Sequence, residues 1–169
     1  MHDPEQIVQP RPERLALSTR KEYRDALERL VGLAQHELRI FDADVSGLDI
    51  NSPQKYELLR AFLLRGRNNR LYIAVHDTDY IRTSCPRLLS LLRQFSDRMF
   101  IHQTQGEADS AQDCLVLADK QHFVRRPVQA QPRGMLTVND EDESRGMLLR
   151  FSEIWDNSFP AVSATTSGL

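Results

Sequence analysis

The chain has 169 residues, 40% of them hydrophobic and 27% charged, with 22 Lys and Arg against 24 Asp and Glu and a formal net charge of −2. That length suits one domain with a core large enough to fold without disulfides or a structural metal. The charge balance advertises no basic face for bulk nucleic-acid binding, and no apolar run approaches the ~18 residues of a membrane span. Two cysteines, Cys85 and Cys114, cannot form a disulfide framework, and the start MHDPEQIVQPRPER has no hydrophobic signal region, so a soluble cytoplasmic domain is expected.

Residues 1–17 carry Pro4, Pro10 and Pro12 among charges and read as a flexible lead-in. Ser18 and Thr19 can cap a helix whose apolar residues Tyr23, Leu27, Leu30 and Ala34 recur at three- and four-residue steps. LRIFDAD (38–44) is a short strand ending in acids, and Ser52-Pro53 opens a second helix with Leu58, Leu59, Phe62 and Leu63 inward, stopped at Gly66. LYIAVH (71–76) is a strand, Cys85-Pro86 to Phe95 a helix, and MFIHQ (99–103) a further strand. After the polar loop QGEADSAQD (105–113), CLVLADKQHFVRR (114–126) predicts a hairpin about Asp119-Lys120. GMLTV (134–138) is the last strand. Asn139 or Asp140 then caps a helix presenting Met147, Leu148, Phe151, Ile154 and Trp155 on one stripe, and AVSATTSGL (161–169) reads as a loose tail. The order α-β-α-β-α-β-β-β-β-α predicts an α/β domain over 18–160, a mixed sheet sandwiched between helices.

Two acidic clusters, Asp42/Asp44 and His76-Asp77-x-Asp79, follow strand C-termini, the edge where open α/β sheets bind ligands. Asp at such positions also caps turns and helix starts. The histidines have no zinc spacing and the chain has no glycine-rich phosphate loop, so neither metal nor cofactor is expected. Cys85 lies at a helix start without an evident base, and Cys114 lies in the most apolar strand and reads as core. Arg125 and Arg126, candidate ligand-binding residues, belong to VRRPVQAQPR (124–133), which with RGRNNR (65–70) offers a nucleic-acid-binding module as a further alternative, although Arg on helix ends and loops is usually solvated surface.

Asp42-Ala-Asp44 resembles the first motif of haloacid-dehalogenase-like phosphatases, which implies Asp42 as nucleophile, Asp44 as general acid and base, and magnesium. Only that motif matches: no lysine motif follows, and the acids of 139–144 sit at a helix start, where they are favoured anyway.

From strand 38–44 to Trp155 the element order resembles one half of the phospholipase D superfamily. Its signature is His-x-Lys-x4-Asp, then Gly-Ser and later Asn-x-Glu, with His and Lys on one strand face toward a phosphodiester. On this chain Asp119 takes the signature Asp and Asn139-Asp140-Glu141 fits Asn-x-Glu. Gln112 and Cys114 stand where nucleophile and phosphate lysine are needed, and Arg126-Pro127 where Gly-Ser is. FDAD, VHDTDY with CPRLLSLLR, and LADKQHFVRRP with VND are similar to a bacterial domain of this kind. That resemblance implies a non-catalytic binding or regulatory module, sometimes joined to an acetyltransferase. Single-half relatives pair, so it also implies a homodimer through the face carrying Gln112, Cys114, Arg125 and Asn139.

Overall fold

The computed structural model describes residues 10–164. Eight strands form one sheet in the order β1-β7-β6-β5-β2-β3-β4-β8. They are β1 (Glu13–Leu17), β2 (Glu37–Asp42), β3 (Arg70–Val75), β4 (Met99–Thr104), β5 (Cys114–Ala118), β6 (His122–Arg126), β7 (Gly134–Val138) and β8 (Ser158–Val162). β2, β3 and β4 run parallel, and every other pairing is antiparallel. The helices are α1 (Arg20–Leu33), α2 (Pro53–Arg65), α3 (Asp79–Ser84), α4 (Pro86–Gln94) and α5 (Glu141–Asp156).

Strand alternation divides the core in two. Leu38, Ile40, Leu71, Ile73, Val116 and Val124 point to one side and pack with Leu27, Leu30, Phe62 and Leu91 of α1, α2 and α4. Phe41, Ala74, Leu115, Leu117 and Phe123 point to the other, against Phe151 and Ile154 of α5. The helix starts follow the caps read from the sequence: the side chains of Thr19, Ser52 and Asp140 accept the N–H of Glu22, Lys55 and Glu143.

The sheet is two strands wider than the sequence suggests. Residues 13–17, read as part of a flexible lead-in, form an edge strand on β7, with Leu17 buried. Its other side chains are exposed, so the strand carries little of the apolar signal that marks its neighbours. At the other end, Ala161 and Val162 belong to β8 and Ala164 packs on the core, which moves the start of the tail. Pro160 in β8 masks that strand in the sequence, and an edge tolerates it because one side of the strand needs no ladder donor. The remaining tail residues, 1–9 and 165–169, lie outside the described residues. The acidic run before Cys85 also holds the short helix α3. Among the described residues no helix is long and apolar enough to cross a membrane.

Candidate functional site

The acids that follow β2 and β3 are turn formers. Asp42, buried, accepts the N–H of Val45 at 2.7 Å and of Asp44 at 3.2 Å through one oxygen. Those bonds hold Val45 at φ +63°, a conformation costly for a β-branched residue. Asp44 accepts from the amide and hydroxyl of Ser46, and Asp77 accepts the N–H of Asp79. Asp79 itself lies exposed in the first turn of α3. Among the described residues no three His, Cys, Asp or Glu side chains converge as a metal site. His76 is fixed at both ring nitrogens, Nδ1 2.6 Å from Thr104 Oγ1 and Nε2 2.7 Å from the Ala111 carbonyl, and its ring meets Phe41 edge-on.

Beside this edge, where β5 begins and β6 ends, lies a buried polar cluster. Cys114 and Arg126 are direct cross-strand partners, and a terminal nitrogen of Arg126 donates to Cys114 Sγ at 3.3 Å. The Arg126 guanidinium lies over the ring of Tyr23, 4.7 Å from its centre. Burial, then the nearby Asp42 charge, pushes the Cys114 thiol up to about 12, so it is a protonated thiol at neutral pH. Burial likewise pushes the Tyr23 phenol well above its ordinary value. The Tyr23 hydroxyl and Arg126 Nε are both buried without a hydrogen-bond partner. A cation and a thiol therefore fill the place on the strand where the signature asks for lysine, enclosed rather than presented.

Gln112 precedes β5 and is exposed, while Asp113 turns to the α5 side and is 2% exposed. Asp113 takes two hydrogen bonds from Arg150 and one from Arg125. Neither Tyr23 nor Arg150 was legible as a site residue, because each reaches its partner only through long-range packing. The one available signal was the alternation along 112–114, which puts Asp113 opposite in face to Cys114.

At the other end of β5 the hairpin turns at Asp119, φ +56°. Its carboxylate accepts the backbone N–H of Gln35, His36 and Glu37 at 2.8–3.0 Å and so ties the end of α1 to the start of β2. Asn139, also at positive φ, donates its N–H to His122 Nδ1, and Glu141 is exposed on the first turn of α5. Asp119, Asn139 and Glu141 line one open polar cleft of about 1120 Å³. The length of β5, about 16 Å, separates this cleft from Gln112 and Cys114, so the five signature positions do not converge. Nor do Gln112, Cys114, Arg125 and Asn139 make one surface for pairing. Cys114 is buried under α1, Arg125 faces α5, and Asn139 is at the far edge.

No curated protein sequence matches the chain. Solved structures do. Nuc from Salmonella typhimurium, a phospholipase D family member, superposes with a TM-score of 0.66 at 11% identity, over 90% of this chain and 100% of that one. NucT from Helicobacter pylori gives 0.58 at 9% identity, over 89% and 100%. TrmBL2, an archaeal chromatin protein whose structure shows a novel mode of DNA binding, gives 0.65 at 10% identity over 93% of this chain. The match spans only 56% of TrmBL2. Such likeness establishes the phospholipase-D-like fold. In sequence, residues 19–164 match the profile described as domain of unknown function DUF7931, and to that family the chain belongs.

Proposed function

We propose that this domain is a non-catalytic phospholipase-D-like binding module. The observation that carries the reading is the state of Cys114: fully buried, protonated, and held by Arg126 at the strand position where a phosphate lysine would stand. Covalent phosphodiester chemistry needs a nucleophile and a fixed positive charge that a substrate can reach. Gln112 is exposed but its amide is not a nucleophile, and Arg126 is a cation that is 6% exposed. The loss of both functions removes most of the barrier lowering, ~8 kcal/mol or more, that an enzyme supplies.

The test is hydrolysis of bis-p-nitrophenyl phosphate by the full chain, with and without magnesium, alongside Asp42→Ala and Asp44→Asn. The expected result is no turnover above buffer. Turnover that persists through successive purification steps would overturn the reading, and its loss in both variants would point to aspartate chemistry.

A further inference from the structure

We propose that the cleft between α5 and the β6–β7 end of the sheet binds an aromatic organic phosphate of mononucleotide size. The inference goes beyond the non-catalytic reading and does not depend on it, since it concerns the α5 face of the sheet and not the Cys114 face.

α5 packs chiefly on β4, β5, β6 and β8, and toward β7 and β1 a cleft opens beside it. There the sheet and helix enclose about 510 Å³, within the range of small-molecule sites. The floor is apolar and polarisable: Phe123, Met135 and Met147. Such groups favour a flat aromatic body.

The rim is cationic. Arg14 comes from β1, Arg125 from β6 and Arg133 from the loop between β6 and β7. Among the described residues Arg14 and Arg133 have no ion pair or side-chain hydrogen bond. Arg125 gives only Nε to Asp113, which leaves its terminal nitrogens unclaimed. Asp113 offsets only part of the Arg125 charge, because it is shared with Arg150. Glu143 is the single acid on the lining. Three guanidiniums around one opening suit a dianion that offers several acceptor oxygens, which a phosphomonoester does better than a carboxylate.

The rim is also positioned. The Gln129 N–H donates to the Gln112 carbonyl at 2.7 Å, its side-chain amide reaches the carbonyls of Ala111 and Asp113, and Gln131 N–H closes a turn on Val128. The loop carrying Arg133 is thereby tied to the start of β5, and Arg125 is aimed by its bond to Asp113. Preorganised donors lower the ordering cost of binding.

The test uses full-length protein labelled at methionine methyl groups, titrated at low salt with AMP, GMP, CMP, UMP and phenyl phosphate. Adenosine and inorganic phosphate serve as comparators. The Met135 and Met147 methyls should shift with at least one aromatic phosphate at a Kd of about 1 mM or tighter, while Met99, buried on the opposite face, stays put. Adenosine and inorganic phosphate should each bind about tenfold more weakly or worse. Arg14→Ala and Arg133→Ala, both at exposed positions, should each weaken binding severalfold without changing the fold. The proposal is overturned if neither methyl moves with any of the five compounds, or if inorganic phosphate binds as well as the aromatic phosphates. It is equally overturned if the arginine variants bind like the parent, or if only oligonucleotides bind.

Discussion

Arg150 grips both oxygens of Asp113, its Nε 2.7 Å from Oδ2 and a terminal nitrogen 2.6 Å from Oδ1. Arg125 Nε adds a third bond to Oδ2 at 3.1 Å. The contact joins α5 to the starting end of β5 and to β6, fixing helix to sheet where two loops meet. Burial alone would raise the Asp113 pKa, and the hydrogen bonds and charges of Arg150 and Arg125 outweigh it, so the carboxyl titrates below the ordinary carboxylate range.

Asp113→Asn should therefore destabilise the fold at neutral pH by about 2 kcal/mol, below the loss seen for fully buried pairs because both arginines are about a third exposed. A carboxyl with a depressed folded pKa contributes stability above its unfolded value near ~4 and loses that contribution as pH falls through the folded value. Urea melts at pH 7 and pH 3 check this: the gap between parent and variant should narrow at pH 3. A gap that is unchanged at the lower pH would contradict it.

The sequence carries the helix caps, the hairpin and the alternation of the inner strands because those are local: Thr19, Ser52 and Asp140 sit one residue before the helices they start. β1 and β8 escape because each edge strand keeps only one buried side chain and so lacks the burial pattern. The site is less legible for a different reason. Asp119 and Cys114 are five residues apart on paper but at opposite ends of a strand, and no spacing rule says that Asp119 binds the turn at 35–37. Asp113–Arg150 spans 37 residues and two elements, so it is fixed by how α5 crosses the sheet. Asp42 illustrates the converse: its place after a strand is right for a ligand, while one of its oxygens is taken by its own turn.

Asp119 should be a stability determinant. Asp119→Ala strands three backbone N–H groups and puts alanine at φ +56°, at a cost of about 3 kcal/mol. Asp119→Asn tolerates that backbone and keeps one acceptor oxygen, so it should lose roughly half as much. Equal losses for the two, measured by chemical denaturation, would remove the clamp role.

His122 ties its stability to mildly acidic pH. It is buried, and Nδ1 accepts the Asn139 N–H at 3.0 Å, which requires that nitrogen to be unprotonated. Burial lowers its pKa, with Asp119 opposing the shift and Arg29 adding to it. The unfolded chain then takes up a proton first, so stability falls as pH drops below about 6.5 toward the folded value. His102, stacked on Trp155 with centroids 3.7 Å apart, is lowered by burial in the same sense. The Tm should decline between pH 7 and pH 5, and His122→Gln should flatten that decline. A parallel decline in parent and variant would refute the assignment to His122.

Both cysteines should be silent to thiol reagents in the native state. Each is fully buried, and burial pushes the Cys85 thiol up to about 11 and the Cys114 thiol up to about 12. Labelling by a disulfide reagent at pH 8 should proceed only as fast as the chain unfolds and should accelerate with urea along the unfolding limb. Rapid labelling of either thiol without urea would show a reactive cysteine.

Tyr23 gives the sharpest test of the buried cluster. Its side chain is 1% exposed, and its hydroxyl has no hydrogen-bond partner. A buried hydroxyl without a partner costs about 1–3 kcal/mol, and phenylalanine removes the group while keeping the ring. That ring is what Arg126 uses, lying 4.7 Å above its centre, and the attraction depends on the π face rather than on the hydroxyl. Tyr23→Phe should therefore stabilise the domain by about 1 kcal/mol. Tyr23→Leu discards the ring as well, leaving Arg126 buried with fewer partners, and should destabilise by about 2 kcal/mol. The contrast separates hydroxyl from ring in a single pair of denaturation curves. If Tyr23→Phe loses stability instead, the hydroxyl is satisfied in solution, and an ordered water joining it to Arg126 Nε, the cluster's other orphaned polar atom, becomes the account to test.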